Sequence, residues 1–145
     1  MNLRPAHPSD LPVLLKLEAA SFETVRRDSP RSIGHGLRSP SQEIWIAEDG
    51  DNVVASMSLR FAGRVCRIHS LAVVPDWRGT GIGRRLVELA RQRASDRGSR
   101  CIHLEADSRS QKLLSWYEKL GYLKTARLED YYEPGWDAIR YRLDL

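Results

Sequence analysis

The run Arg67-Ile68-His69-Ser70-Leu71-Ala72-Val73-Val74-Pro75-Asp76-Trp77-Arg78-Gly79-Thr80-Gly81-Ile82-Gly83-Arg84-Arg85-Leu86-Val87-Glu88-Leu89-Ala90 decides how this chain folds. Its first part is rich in apolar and β-branched residues and closes on Pro75-Asp76, the pattern of a buried strand that ends in a turn. Its last part sets Ile82, Leu86, Leu89 and Ala90 at i, i+4, i+7 and i+8, one face of a helix. Gly98, just after Arg97, supplies the helix stop. Between strand and helix, Gly79, Gly81 and Gly83 fall at every second position. Such a spacing lets the backbone turn sharply and leaves N–H groups free at a helix N-terminus, where unpaired donors and the helix dipole favour a phosphate. No Gly-Lys-Ser/Thr ending follows, so this is not a Walker-type loop, and position 84 is arginine where the dinucleotide fingerprint needs glycine. The same residues also describe a glycine-rich turn with no ligand.

Working outward, the flanks alternate strands and helices. Asn2-Leu3-Arg4 reads as a first strand. Ser9 or Asp10 caps a helix with Pro12 in its first turn, on which Leu11, Leu14, Leu15 and Phe22 share a face with Leu17 and Ala20 nearby. Ser29-Pro30 opens a second helix to about Leu37, weakened by Gly34 and Gly36. Ser41 to Glu48 and Val53 to Phe61 form a hairpin around Asp49-Gly50-Asp51-Asn52, and Gly63 turns the chain into the central strand from Val65. After the long helix, Cys101 to Ala106 has strand character, which makes a parallel pair with a right-handed crossover. Leu113 to Leu120 is a helix stopped by Gly121, with Leu113, Tyr117 and Leu120 on one face. Tyr122 to Arg127 reads as a strand, Leu128 to Gly135 as a loop, and Ala138 to Leu143 alternates as a closing strand.

At 145 residues the chain has the size of one domain, 1–145. The 41% hydrophobic and 29% charged content is that of a globular protein. No run of about 18 apolar residues occurs, and no apolar leader opens the chain, so a cytoplasmic protein without membrane contact is expected. Cys66 and Cys101 are too few for a disulfide framework or a zinc site and read as buried, reduced core residues; no metal is expected. The net charge of +4 rests on 19 Arg and 4 Lys. They are scattered without an aromatic-basic stripe, which argues against nucleic acid and suits steering of a polyanionic small molecule.

The order Arg78-Gly79-Thr80-Gly81-Ile82-Gly83, directly after Leu71-Ala72-Val73-Val74-Pro75, resembles the Arg/Gln-x-x-Gly-x-Gly/Ala motif of the GNAT superfamily of N-acetyltransferases. The order of elements resembles that fold over the whole chain. The resemblance implies an α+β architecture: a mixed sheet of six or seven strands, about four helices, and two central parallel strands that splay apart. It implies acetyl-CoA as cofactor. Amides of Gly79, Thr80, Gly81, Ile82, Gly83 and Arg84, with Arg78, would hold the pyrophosphate, and the backbone of Leu71, Ala72 and Val73 would pair with the pantetheine arm and polarise the acetyl carbonyl. Leu104-Glu105-Ala106-Asp107 resembles the Leu-Glu-Val-Arg signature of the RimI-like branch, the ribosomal-protein alanine and protein N-terminal acetyltransferases, whose glutamate is the proposed general base. Tyr117, in Trp116-Tyr117-Glu118-Lys119-Leu120-Gly121-Tyr122, resembles that branch's Leu-Tyr-Glu-x-x-Gly-Phe tyrosine, a proton donor to the CoA sulfur. Two departures stand out. Ser110 occupies the place of an asparagine that contacts CoA, and Asp107-Ser108 replaces an arginine-containing segment.

Acetyl transfer to an amine requires the amine to lose its proton, the carbonyl oxygen to be stabilised, and the leaving sulfur to be neutralised. At pH 7, deprotonation costs about 1.4 kcal/mol for an α-amine of pKa near 8, against roughly 4.6 kcal/mol for a lysine near 10.4. Glu105 is the expected base and Tyr117 the expected acid. His103, on the same side of its strand as Glu105, is an alternative base, and His69 a weaker one. In related enzymes the connection between the first two helices walls the acceptor site, which makes Phe22, Glu23 and Val25 candidates. Tyr131 and Tyr132 resemble the Tyr-Tyr loop that N-terminal acetyltransferases lay over a peptide backbone. The acceptor is thus a protein N-terminus or else a small amine such as an amino acid, polyamine or antibiotic. A non-catalytic CoA-binding module is the remaining alternative. Monomer and homodimer are both open.

Overall fold

The computed structural model describes residues 1–145. Seven strands form one sheet in the order β1-β2-β3-β4-β5-β7-β6. They are β1 (Asn2–Pro5), β2 (Gln42–Asp49), β3 (Asn52–Ala62), β4 (Val65–Val73), β5 (Cys101–Asp107), β6 (Leu123–Glu133) and β7 (Trp136–Asp144). Four helices accompany them: α1 (Leu11–Ser21), α2 (Pro30–Arg38), α3 (Ile82–Asp96) and α4 (Gln111–Lys119). Every neighbouring pair of strands is antiparallel except β4 and β5. The resemblance led us to expect a mixed α+β fold of six or seven strands and about four helices, and the structure has seven and four.

Helices α3 and α4 cover one face of the sheet, and α1 and α2 the other. Ile82, Leu86, Val87, Ala90 and Ala94 of α3 pack on Met57, Leu59, Cys66, Ile68, Ile102 and Leu104 in the main core. Leu14 and Ile33 close a smaller core over Ile44 and Ile46. Both helices that end near the centre stop in the same way. At α3, Ser99 N–H donates to the Ala94 carbonyl (2.8 Å) and Gly98 N–H to Ser95 (3.0 Å). At α4, Tyr122 N–H donates to Tyr117 (3.1 Å) and Gly121 N–H to Glu118 (3.0 Å). These paired bonds satisfy the last carbonyls and require a left-handed residue, met by Gly98 at φ 75° and Gly121 at φ 96°.

Three expectations change. The stretch Leu128–Gly135 is not a loop: β6 continues to Glu133, and its pairing with β7 is interrupted by an irregularity between Leu128 and Glu133. Asp130 stands there at φ 54°, its carboxylate accepting from Gly135 N–H (2.6 Å). Aspartate tolerates the left-handed region because its short side chain bonds locally. Helix α4 begins at Gln111, two residues before Leu113, because the Ser110 hydroxyl caps it by accepting from Leu113 N–H (3.3 Å). On α1 the fully buried positions are Leu14, Leu17 and Glu18, while Leu11 and Leu15 are only partly covered. Cys66 and Cys101 are both buried and unbridged, and burial pushes the Cys66 thiol up to about 12.

Candidate active site

The feature that makes a site is a failure of pairing. Strands β4 and β5 form only three rungs: Val65 with Cys101, Cys66 with Ile102, and Arg67 with His103. Beyond Arg67, β4 runs on to Val73 against β3 alone, while β5 keeps a continuous ladder with β7 through Asp107. The sheet therefore opens between Ile68–Val73 on one side and Leu104–Asp107 on the other. Leu71, Ala72 and Val73 lie on the open edge of β4.

At the top of this gap is the glycine loop. Gly79 and Gly81 have φ 76° and 91°, and a Cβ built on either meets nothing within 4 Å, so the loop is open on its outer side. Helix geometry leaves the amides of Ile82, Gly83 and Arg84 without intrahelical acceptors; the first turn closes with Arg85 N–H on the Gly81 carbonyl at 3.1 Å. Thr80 ties the loop down by donating its hydroxyl to the Trp77 carbonyl, and Arg78 Nε donates to the Val73 carbonyl at 3.1 Å. Open glycines, free amides and a positive helix end fit a pyrophosphate, and the unpaired strand edge below fits an amide-bearing arm.

At the floor of the gap, Glu105 (8% side-chain exposure) is ion-paired with Arg67 and with Arg140, the latter at 3.0 Å. It also accepts from the Tyr131 hydroxyl at 3.3 Å. Burial works against its charge, yet the Arg140 and Arg67 guanidiniums hold the carboxyl below its ordinary range. Two cations share one carboxylate, so the floor is net positive. His103 makes the last rung beside Arg67; its Nε2 is buried without a partner, and burial together with Arg142, Arg67 and Arg140 lowers its basicity.

Tyr117 is 5% exposed in the main core. Its ring meets Trp116 edge-on at 4.9 Å and Tyr122 at 5.8 Å. Burial raises its pKa, with the Tyr132 phenol adding to the effect and Arg26 opposing it. Ser110 caps α4 through its oxygen lone pair, which leaves its O–H free to donate.

The connection from α1 to α2 docks on the β6–β7 hairpin. Arg26 lies over the rings of Tyr132 (4.6 Å), Phe22 (4.9 Å) and Trp136 (5.9 Å). Arg109 covers Trp136 at 4.0 Å and reaches Glu23 at 3.4 Å, and the Trp136 indole donates to Asp107 at 3.0 Å. Phe22, Glu23, Tyr131 and Tyr132 are thus gathered around the gap, and Val25 is half exposed beside them. Sequence reasoning missed Arg26, Arg67, Arg140, Arg109 and Trp136. Arg140 alternates with Ile139 and Tyr141 as a solvent-facing residue would; only the β5–β7 register, which sets Arg140 opposite Glu105, makes it a partner.

A family model described as acetyltransferase (GNAT) family matches residues 11–122. The chain is 38% identical over 104 residues to N-alpha-acetyltransferase 30 of Schizosaccharomyces pombe, covering 68% of this chain and 69% of that protein. It is 28% identical over 134 residues to the N-alpha-acetyltransferase RimI of Mycobacterium tuberculosis, covering 89% and 83%. Among solved structures, the ribosomal-protein-S18-alanine N-acetyltransferase from Escherichia coli superposes with a TM-score of 0.89 at 20% identity, covering 99% of this chain and 92% of that one. Enzymes of this family take their acetyl group from acetyl-CoA. With its split central sheet and its glycine loop at a helix N-terminus, the chain belongs to the GNAT family of acetyltransferases and is an N-acetyltransferase.

Proposed function

We propose that this enzyme acetylates the α-amine of a protein or peptide N-terminus, with acetyl-CoA held along the β4 edge and the glycine loop. The observation that carries the reading is the bond from Tyr131 to Glu105. It joins an aromatic hairpin, suited to lie on a peptide backbone, to the carboxylate at the floor of the gap. The names of the N-alpha-acetyltransferase relatives agree with it.

Gly79 to Arg84 hold the pyrophosphate with Arg78 beside them, Leu71 to Val73 pair with the pantetheine arm, and the Ser110 hydroxyl donates to the same ligand. Bound acetyl-CoA supplies an activated thioester. Phe22, Glu23, Val25, Tyr131 and Tyr132 flank the acceptor. The net-positive floor disfavours an ammonium and favours a neutral amine, which suits an α-amine far better than a lysine. Once nitrogen has given its lone pair to the new bond it becomes strongly acidic, and a carboxylate as weakly basic as Glu105 is then a sufficient proton acceptor. Tyr117 donates to the departing sulfur; the burial that raises the phenol also raises a thiol, so the two remain matched.

The test is thiol release from acetyl-CoA with three acceptor sets: peptides with free N-termini, the same peptides N-blocked but containing lysine, and small amines including amino acids and polyamines. Turnover of the free N-termini alone is expected. Faster turnover of a small amine overturns the peptide assignment, and thiol release with none of them overturns the amine acceptor.

A further inference from the structure

A histidine–carboxylate pair stands on β4, in the stretch beyond its last rung with β5 and so at the edge of the opening across from the strand that carries Glu105. The β3–β4 register steps from Ser58 opposite Ser70 to Leu59 opposite Ile68, so His69 is the extra residue of a bulge. A bulge re-aims its side chain, and here His69 and Ser70 both line a cavity on the α1–α2 side of the sheet. Continuing the parallel register past Arg67 and His103 would set His69 level with Glu105 across the opening. His69 Nε2 lies 2.9 and 3.0 Å from the two oxygens of Asp28, and 3.1 Å from Arg60 Nη2. One nitrogen cannot donate to a carboxylate and accept from a guanidinium at once. The two carboxylate oxygens decide the matter: Nε2 carries the hydrogen, and the lone pair of the neutral ring is on Nδ1. Asp28 is itself fixed, its backbone N–H donating to Glu18 at 2.9 Å. Beside the ring the cavity is about 20 Å³, lined by Glu18, Ser32, Ser56, Ser58 and Ser70 among others. That volume holds one water with several polar partners. The charged groups around the ring are Asp28 and Glu18 from the α1 side and Arg60 from β3.

Acetylation takes two protons from an ammonium nitrogen, and the departing CoA sulfur takes one up. The first leaves before attack, from an amine of pKa near 8, and calls for an acceptor that titrates near neutrality. The second leaves after the bond has formed, when nitrogen is strongly acidic. Glu105, clamped by two arginines, is matched to the second proton and not to the first.

We propose that His69, oriented by Asp28, accepts the first proton of the acceptor ammonium. This rests on the amine-acetyltransferase reading above. The N–H bond of the ammonium breaks, the proton joins Nδ1, and Asp28 stabilises the imidazolium until the proton passes to solvent by way of the polar cavity. The neutral amine then attacks, and its second proton goes to Glu105. His69 is a catalytic residue in this scheme and Asp28 a positioning one.

The two protons can be separated by choice of acceptor. An aminooxy group is uncharged at pH 7 and has only the second proton to lose. In the full chain, His69→Gln should lower kcat/KM about tenfold at pH 7 for an α-amine acceptor, the ratio of ammonium to free amine. For the same acceptor carrying an aminooxy group it should lower kcat/KM less than about twofold, and the α-amine defect should vanish by about pH 9, where that amine is already neutral. Asp28→Asn should follow His69→Gln, whereas Glu105→Gln should impair both acceptors. Equal losses on both acceptors, or no loss on either, overturn the proposal. If only a small amine is turned over, the peptide reading falls and the comparison is made with that amine and its aminooxy form. A readout independent of turnover is the ¹⁵N spectrum of His69 in the wild-type chain. A neutral ring protonated on Nε2 is expected; a neutral ring protonated on Nδ1 overturns the proposal whatever the acceptor.

Discussion

At Glu105 one carboxylate meets Arg67, Arg140 and the Tyr131 hydroxyl. Each partner comes from a different strand, so the residue is both a joint in the sheet and a fixed charge at the gap. Tyr117 stands in a different setting, among aromatic rings and away from ion pairs. That contrast supports the separate roles proposed for them: a carboxylate kept ionised by cations takes protons only from strong acids, and a phenol kept neutral by burial remains a donor at every working pH. Tyr117→Phe retains the ring and its contacts and removes only the hydroxyl. We expect kcat to fall by about 10² while acetyl-CoA affinity, measured by calorimetry, stays within about twofold of wild type, since little of a ligand's binding rests on one donor that acts late. Wild-type turnover in this variant would exclude the acid role. The motif residues Glu105 and Tyr117 were picked out in the sequence by the resemblance of the short runs around them, Leu104–Asp107 and Trp116–Tyr122, to the signatures of the RimI-like branch. Their partners were not, since Arg67 and Arg140 lie 38 and 35 residues away from Glu105.

At the scale of elements, the turn into α3 and the docking of the α1–α2 connection do different work. Gly81 sits at φ 91° as the residue before α3. Gly81→Ala places a side chain in a left-handed conformation, at about 1–2 kcal/mol, and puts a methyl on the open side of the loop. We expect a lower melting temperature together with a weaker Kd for acetyl-CoA. Gly98→Ala, at φ 75° and also in open space, is the control: a similar loss of stability with acetyl-CoA affinity retained. The α1–α2 connection is held to the hairpin by Arg26 among Phe22, Tyr132 and Trp136. Cation–π contacts are worth about 0.5–1 kcal/mol each where exposed. Arg26→Ala should raise the acceptor KM severalfold and leave the acetyl-CoA KM unchanged; a change in the acetyl-CoA KM alone would show that the clamp serves the other half of the site. The turn at Gly81 was legible from glycine spacing. The clamp was not, because an arginine in the run Thr24-Val25-Arg26-Arg27-Asp28 reads as any solvated side chain until a hairpin more than a hundred residues later folds over it.

Across the whole molecule, buried or half-buried carboxylates are held by cations or a histidine: Asp10 by Arg4, Glu43 by Arg93 and Arg97, Asp28 by His69, Asp107 by Arg109, and Glu105 by Arg67 and Arg140. In every one the folded pKa is lowered. A lowered folded pKa means stability that is complete above the unfolded value, near 4, and is lost as pH falls through the folded value. Glu18 has the opposite sign, raised chiefly by burial, so its protonation on acidification favours the fold and partly offsets the loss. We expect the urea midpoint to be level from about pH 5 to 7 and to fall steeply below about pH 4; an unchanged midpoint at pH 3 would mean that these pairs contribute nothing net. The order of strands and helices, the long amphipathic α3 and the glycine loop follow from the sequence by itself, because periodicity, turns and caps act between residues a few positions apart. The three-rung limit on β4 and β5, the two arginines on Glu105, the cage around Arg26 and the pairing of Asp28 with His69 were decided only by the tertiary structure. Each joins residues tens of positions apart, and side chains that distant leave no periodic trace of which partner the folded sheet brings within hydrogen-bond reach.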